Sequence, residues 1–205
     1  MDMFKHASNY GSIVGAVGSI LLKSIDNKDF SSTGIATSQI RANLACMNLL
    51  FPEQVSTVHM SYLEAGSEII TTNSLTCNRL TQRHHALKDK VYELNKLGAK
   101  IAVDACLEYM KKAPNSGHRF VLGSIGSVGL RIDLCCKSPA YLTAVEEYKV
   151  QIRGLMDGGV HGLLIETMTG LNDIKASMEA ADAIFGSSNS LPVFLSIVSN
   201  SNDPK

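Results

Sequence analysis

Short apolar segments alternate with amphipathic helical patterns through most of this 205-residue chain, and this alternation limits the possible folds more than any other feature. Apolar residues recur at helical spacing after Pro52, after Val91, around Tyr148 and from Ile174 onward. Strand–helix–strand units with short connections are right-handed and build a parallel sheet. The predicted strands are 12–17, 68–72, 119–123, 162–166 and 192–198. The sequence therefore predicts an α/β fold with a parallel sheet.

Two architectures fit this strand count. One is a (β/α) barrel of the TIM type, which when closed has eight strands and about 250 residues, so this chain would be such a barrel truncated after its fifth strand. The alternative is an open parallel α/β sheet of the doubly wound kind. No repeat, charge run or low-complexity segment divides the chain, so residues 1–205 are predicted to form one partial barrel domain. Whether Lys205 is the natural terminus is left open.

Charge and composition exclude several classes of protein. The chain has 19 Lys and Arg against 19 Asp and Glu, so no excess of cations favours nucleic acid as a partner. No apolar run reaches the roughly 20 residues that a membrane-spanning helix needs, and no membrane partner is expected. The cysteines are odd in number and form no CxxC pair, which favours a reducing, cytoplasmic location.

Ligands of parallel α/β folds bind at the carboxyl ends of the strands. The residues there are Gly15, Ala16 and Val17 at the end of the first strand, Asn73 after the second, Ser124 after the third and Glu166 at the end of the fourth. Glu166 directly follows a buried run, so its carboxylate could hold a substrate ammonium group or serve a structural role. Asn73 could bind a ligand or could simply form a turn.

Two pairs of adjacent residues are candidate metal ligands. Cys135 and Cys136 could share one zinc ion, but the sequence offers no third ligand at a recognisable spacing. Unpaired thiols are the preferred interpretation. His84 and His85 precede a helix and are expected to face solvent.

Five segments together resemble the homocysteine S-methyltransferase domain. They are Val14–Leu22, Asn48–Val55, His59–Asn73, Leu122–Gly126 and Leu155–Thr167, in the family's order and spacing. Within that family the sequence is most similar to the N-terminal module of cobalamin-dependent methionine synthases.

This resemblance implies a (β/α)₈ barrel that binds homocysteine and zinc. In the family, zinc is held by cysteine thiolates and activates the homocysteine thiol, which accepts a methyl group. The donor implied here is methylcobalamin, and the implied partners are cobalamin-carrying and folate-binding modules. Carried over by position, Glu166 would bind the ammonium group, backbone groups at Gly15, Ala16 and Val17 would bind the carboxylate, and Asn73 and Ser124 would line the same pocket.

The chain departs from the family at three places. The family's zinc cysteines follow the sixth and eighth strands, which are not among the predicted strands, so no catalytic or metal-ligating residue is assigned. Val14 stands where the family has an aspartate, and Ser127 replaces a proline. Catalytic competence as a methyltransferase is therefore left open. The alternative is a non-catalytic relative that acts as a binding or scaffold protein, with self-association, for instance dimerisation, through its open sheet edge.

Overall fold

A computed structural model of the chain describes residues 13–14, 17–25, 30–129, 137–168, 170–186 and 191–198. The strands are β1 (Ile13–Val14), β2 (Ile69–Thr71), β3 (Phe120–Ile125), β4 (Gly162–Met168) and β5 (Val193–Ile197). The helices are α1 (Val17–Ile25), α2 (Thr37–Ala42), α3 (Met47–Leu50), α4 (Pro52–Glu64), α5 (Val91–Lys112), α6 (Pro139–Asp157) and α7 (Leu171–Phe185), with short 3₁₀ turns at Ser31–Thr33, Leu44–Cys46 and Lys88–Lys90.

The five strands form one parallel sheet in the order β1-β2-β3-β4-β5. In a doubly wound sheet the order of the strands reverses at the switch point, whereas in a barrel each new strand lies beside the previous one. The observed order is that of a barrel of the TIM type. Among the described residues β1 and β5 remain edges, so the sheet is an open arc and is not closed.

The two faces of the sheet carry different partners. The main core joins one face to α5, α6 and α7 through side chains such as Ile70, Val121 and Ile165. On the other face, Ile69, Phe120 and Leu122 pack with Leu164 and Phe194, all of which come from strands. Right-handed crossovers after β2, β3 and β4 place α5, α6 and α7 on the same side, which explains this division. The face without helices is the inner face of the barrel arc.

Familiar local signals set the ends of the helices that were predicted. Pro52 and Pro139 each stand in the first turn, where proline fills a position whose N–H has no helical partner. Ser138 caps α6, since its side chain accepts a hydrogen bond from the Tyr141 N–H at 3.2 Å. Gly158 and Gly159 end α6, and Gly159 adopts a positive φ of 91°.

No helix in the described part of the chain is long and apolar enough to cross a membrane.

A buried histidine gives the fold a dependence on pH. His59 in α4 is fully buried, and neither of its ring nitrogens has a hydrogen-bond partner among the described residues. Burial lowers its pKa from 6.5 to about 4. The imidazole is therefore neutral in the folded protein at pH values where it is charged in the unfolded chain.

We predict that this residue makes the protein sensitive to mild acid. Because the unfolded state binds the proton first, the free energy of unfolding should fall by about 3 kcal/mol as the pH drops from 6.5 to 4. Urea denaturation at both pH values measures the loss, which should shrink markedly in His59→Leu. The exposed His118→Asn variant is the control and should retain it. An equal loss in His59→Leu and the wild type would contradict the assignment.

Candidate active site

A pocket of about 250 Å³ opens at the carboxyl edge of the sheet, where ligands of this fold class bind. Its wall comes from the start of α1, the segment from α2 into the following 3₁₀ turn, the loop after β2, and the ends of β3 and β4. The lining residues are Val17, Gly18, Ser19, Arg41, Ala42, Leu44, Ala45, Thr72, Asn73, Ser74, Leu75, Thr76, Ser124 and Glu166. Four of the predicted site residues, Val17, Asn73, Ser124 and Glu166, therefore meet in one cavity.

Glu166 and Ser124 form the acidic wall of this pocket. The Ser124 hydroxyl donates a hydrogen bond to Glu166 Oε1 at 2.5 Å, linking the ends of β3 and β4. Ser124 is buried and Glu166 is half-buried. A carboxylate can accept about four hydrogen bonds, so one bond from Ser124 leaves capacity for a cationic ligand group.

A buried hydrogen-bond network fixes the ends of β2 and β3 beneath that wall. The Ser124 N–H donates to Thr72 Oγ1 at 2.9 Å, and the Ser74 hydroxyl donates to the Ser124 carbonyl at 2.7 Å. From α6, the buried Gln151 amide donates to the Ser74 carbonyl at 2.7 Å. Buried hydrogen bonds between strand ends restrict the backbone, so these bonds set the position from which Ser124 reaches Glu166.

Asn73 has a structural role as well as a place in the pocket. Its Nδ2 donates to the Leu44 carbonyl at 2.8 Å and to Asn48 Oδ1 at 3.0 Å. In return, Asn48 Nδ2 donates to the Asn73 carbonyl at 2.9 Å and to the Leu94 carbonyl at 3.0 Å. Both amide hydrogens of Asn73 are thus used within the protein. Its Oδ1 is the side-chain atom left for a ligand.

Another part of the pocket lining carries groups that favour an anion. Val17, Gly18 and Ser19 form the first turn of α1, where unpaired N–H groups and the helix dipole favour an anion. Arg41 of α2 lines the same cavity and adds a full positive charge. The pocket lining therefore contains groups that favour a carboxylate, and Glu166, which favours an ammonium group.

Sequence reasoning missed Arg41. The helix α2 has only six residues, and the pattern of apolar residues did not predict it. The one signal that could have indicated Arg41 was the chemical expectation that a positive charge in the site should balance the negative charge of Glu166.

Some predicted positions are outside the described residues. Gly15, Ala16, Cys135 and Cys136 are among these, and their roles stay predictions. The expectation that both histidines face solvent was wrong for His85, which is only 7% exposed and whose Nδ1 accepts a hydrogen bond from the Leu87 N–H at 3.0 Å.

The described cysteines do not fit a zinc site. Cys46, Cys77 and Cys106 are all buried free thiols, and burial raises the pKa of each to about 12. Zinc binds thiolates, and these thiols stay protonated at neutral pH. Within the described ranges, no three His, Cys, Asp or Glu side chains come together as a metal-binding group.

Comparison with known proteins agrees with this geometry. The sequence profile of the homocysteine S-methyltransferase family matches residues 14–205. The chain belongs to the homocysteine S-methyltransferase family. This confirms the resemblance found in the sequence motifs.

One curated relative is a methionine synthase from Mycobacterium leprae, which is 28% identical to this chain over 152 residues. Those residues are 74% of this chain and 12% of the relative's length. The chain therefore spans about an eighth of that protein.

Solved structures of the homocysteine methyltransferase MmuM from Escherichia coli share the fold. The metallated form has a TM-score of 0.71 at 20% identity, over 89% of this chain and 62% of that one. The apo form has a TM-score of 0.65 at 19% identity, over 91% of this chain and 58% of that one. These matches confirm the prediction of a barrel-type α/β fold.

The packing of α5 against the pocket wall gives a test of the Asn48–Asn73 pair. A Cβ atom on Gly98 would lie 2.4 Å from Asn48 Nδ2, which two hydrogen bonds hold in place. We predict that Gly98→Ala lowers the free energy of unfolding by about 1–3 kcal/mol, despite alanine's higher helix propensity. Urea denaturation measures this. Gly170→Ala is the control, since its new Cβ would meet nothing closer than 3.9 Å. Wild-type stability for Gly98→Ala would contradict the packing argument.

Proposed function

We propose that this chain is the homocysteine-binding part of a methyltransferase of the methionine synthase kind. In this proposal the pocket holds the amino-acid end of homocysteine. The observation that carries the proposal is that groups of opposite charge line one small cavity, namely the Glu166 carboxylate and the Arg41 guanidinium, together with the first turn of α1. A free α-amino acid is a zwitterion, so both of its charged groups find a partner there.

The charges also set the orientation of the ligand. The ammonium group lies against Glu166, whose other partner is the Ser124 hydroxyl. The carboxylate of the ligand lies at the first turn of α1, and Arg41 lines the same cavity. Asn73 Oδ1 offers one further acceptor. The thiol end of homocysteine then extends away from these groups, toward the open side of the pocket.

Methyl transfer needs more than the described residues provide. The resemblance implies zinc and a methylcobalamin donor, but the buried, protonated cysteines form no zinc site. We assign amino-acid binding to these residues, and we infer that thiol activation and methyl donation depend on other parts of the protein or on further modules.

The surface of β5 supports the view that the barrel is incomplete. Leu195 is 46% exposed and Ile197 is 58% exposed, on an edge strand with no described partner on its outer side. Exposed apolar edge strands pair readily with further strands. The same observation favours the second candidate function, a non-catalytic relative that dimerises and acts as a binding or scaffold protein.

We predict that Glu166→Ala weakens L-homocysteine binding by about 1–3 kcal/mol, or roughly fivefold to 150-fold in Kd, because it removes the partner of the ammonium group. Isothermal titration calorimetry measures the change. Glu108→Ala on the exposed surface of α5 is the control and should bind normally.

A ligand without the amino group makes this test specific. 4-Sulfanylbutanoate keeps the thiol and carboxylate of homocysteine, so the wild type and Glu166→Ala should bind it equally. An unchanged Kd for L-homocysteine in Glu166→Ala would refute the ammonium role, and a general loss for both ligands would indicate a structural defect.

We also predict that the 205-residue chain alone holds little zinc. Elemental mass spectrometry should find less than about a tenth of an equivalent, with or without homocysteine, since a three-thiolate site would retain the metal tightly. The control is a Cys135→Ser, Cys136→Ser double variant, expected to give the same value. One equivalent in the wild type that disappears in the double variant would show that these two cysteines bind zinc.

A further inference from the structure

β4 loses its regular alternation at the residue after Glu166. Leu163 and Ile165 face the helices in the main core, while Leu164 packs on the inner face of the sheet. Strict alternation would place Glu166 and Met168 on the inner face together with Leu164. Met168 is instead fully buried in the main core.

The pairing of β4 with β5 shows where the extra residue lies. Ile165 pairs with Leu195, and Met168 pairs with Ile197, so three steps along β4 match two steps along β5. This is a β-bulge at Glu166 and Thr167. Bulges change the direction of a side chain and are frequent next to active sites.

Thr167 carries the unusual backbone of this bulge. Its φ is 60°, in the left-handed region. Threonine is β-branched and strongly disfavours this region, where glycine or asparagine is more common. The side chain of Thr167 is exposed, so burial does not explain the choice of residue. Backbone strain of this kind concentrates at functional sites, where the surroundings hold it.

We propose that Thr167 is a positioning residue that fixes the direction of the Glu166 carboxylate. The bulge lets Met168 anchor the end of β4 in the core while Glu166 stays on the pocket side. With Cβ present, the Thr167 backbone has few accessible conformations, so the carboxylate is held at the distance from which Ser124 donates to it. The protein gives up stability to hold its ammonium-binding group in place. This inference rests on the proposed function.

Two substitutions at this position separate positioning from stability. Thr167→Gly relieves the strain but frees the backbone, so Tm should rise by about 2 °C. In the same variant the Kd for L-homocysteine should increase about tenfold, because preorganisation is lost. Thr167→Asn keeps a Cβ and tolerates the left-handed region, so Tm should rise while the Kd stays at the wild-type value.

The expected result is a higher Tm together with a higher Kd in Thr167→Gly, that is, greater stability with weaker binding, while Thr167→Asn binds with the wild-type Kd. Wild-type affinity in Thr167→Gly would overturn the positioning role, as would an equal loss of affinity in both variants. Glu166→Ala measured alongside separates the two claims. If Glu166→Ala binds L-homocysteine normally, the proposed function itself fails, whereas a loss only in Glu166→Ala leaves the function standing and removes the role of Thr167.

Discussion

Parallel pairing of the strands in chain order is the constraint on which the site depends. Because each strand lies beside its predecessor, the carboxyl ends of β2, β3 and β4 meet at one edge of the sheet. Because crossovers of this kind are right-handed, α5, α6 and α7 pack on one face, and the apolar cluster of described residues on the inner face comes from strands. Ser124 and Glu166, 42 positions apart in the chain, thereby come within hydrogen-bond distance.

Much of this arrangement could be predicted from the sequence. The alternation of apolar runs and helical patterns predicted all five strands and the four long helices, since these elements bury regular faces. The order of the strands was not decided by this pattern, which fits an open doubly wound sheet as well as a barrel. Family resemblance favoured the barrel, and the observed order agrees with it.

The features missed by sequence reasoning depend on tertiary contacts. Helix α2 is short, so periodicity could not reveal it or Arg41. The double role of Asn73 depends on Asn48, 25 residues away, and on the space left by Gly98. The bulge at Thr167 interrupts a strand whose sequence predicts regular alternation. Sequence reasoning missed it because it depends on two tertiary placements, that of Glu166 in the pocket and that of Met168 in the core.

We propose that the described residues supply one half of the expected chemistry, recognition of the amino-acid end of homocysteine. Amide NMR of the isotope-labelled chain during titration with L-homocysteine tests this most directly, because it reports where the ligand binds. We expect saturable shifts concentrated at Ser19, Asn73, Ser124 and Glu166, four residues of the pocket wall. Absence of shifts at millimolar ligand, or shifts confined to another surface such as that around His84, would contradict it.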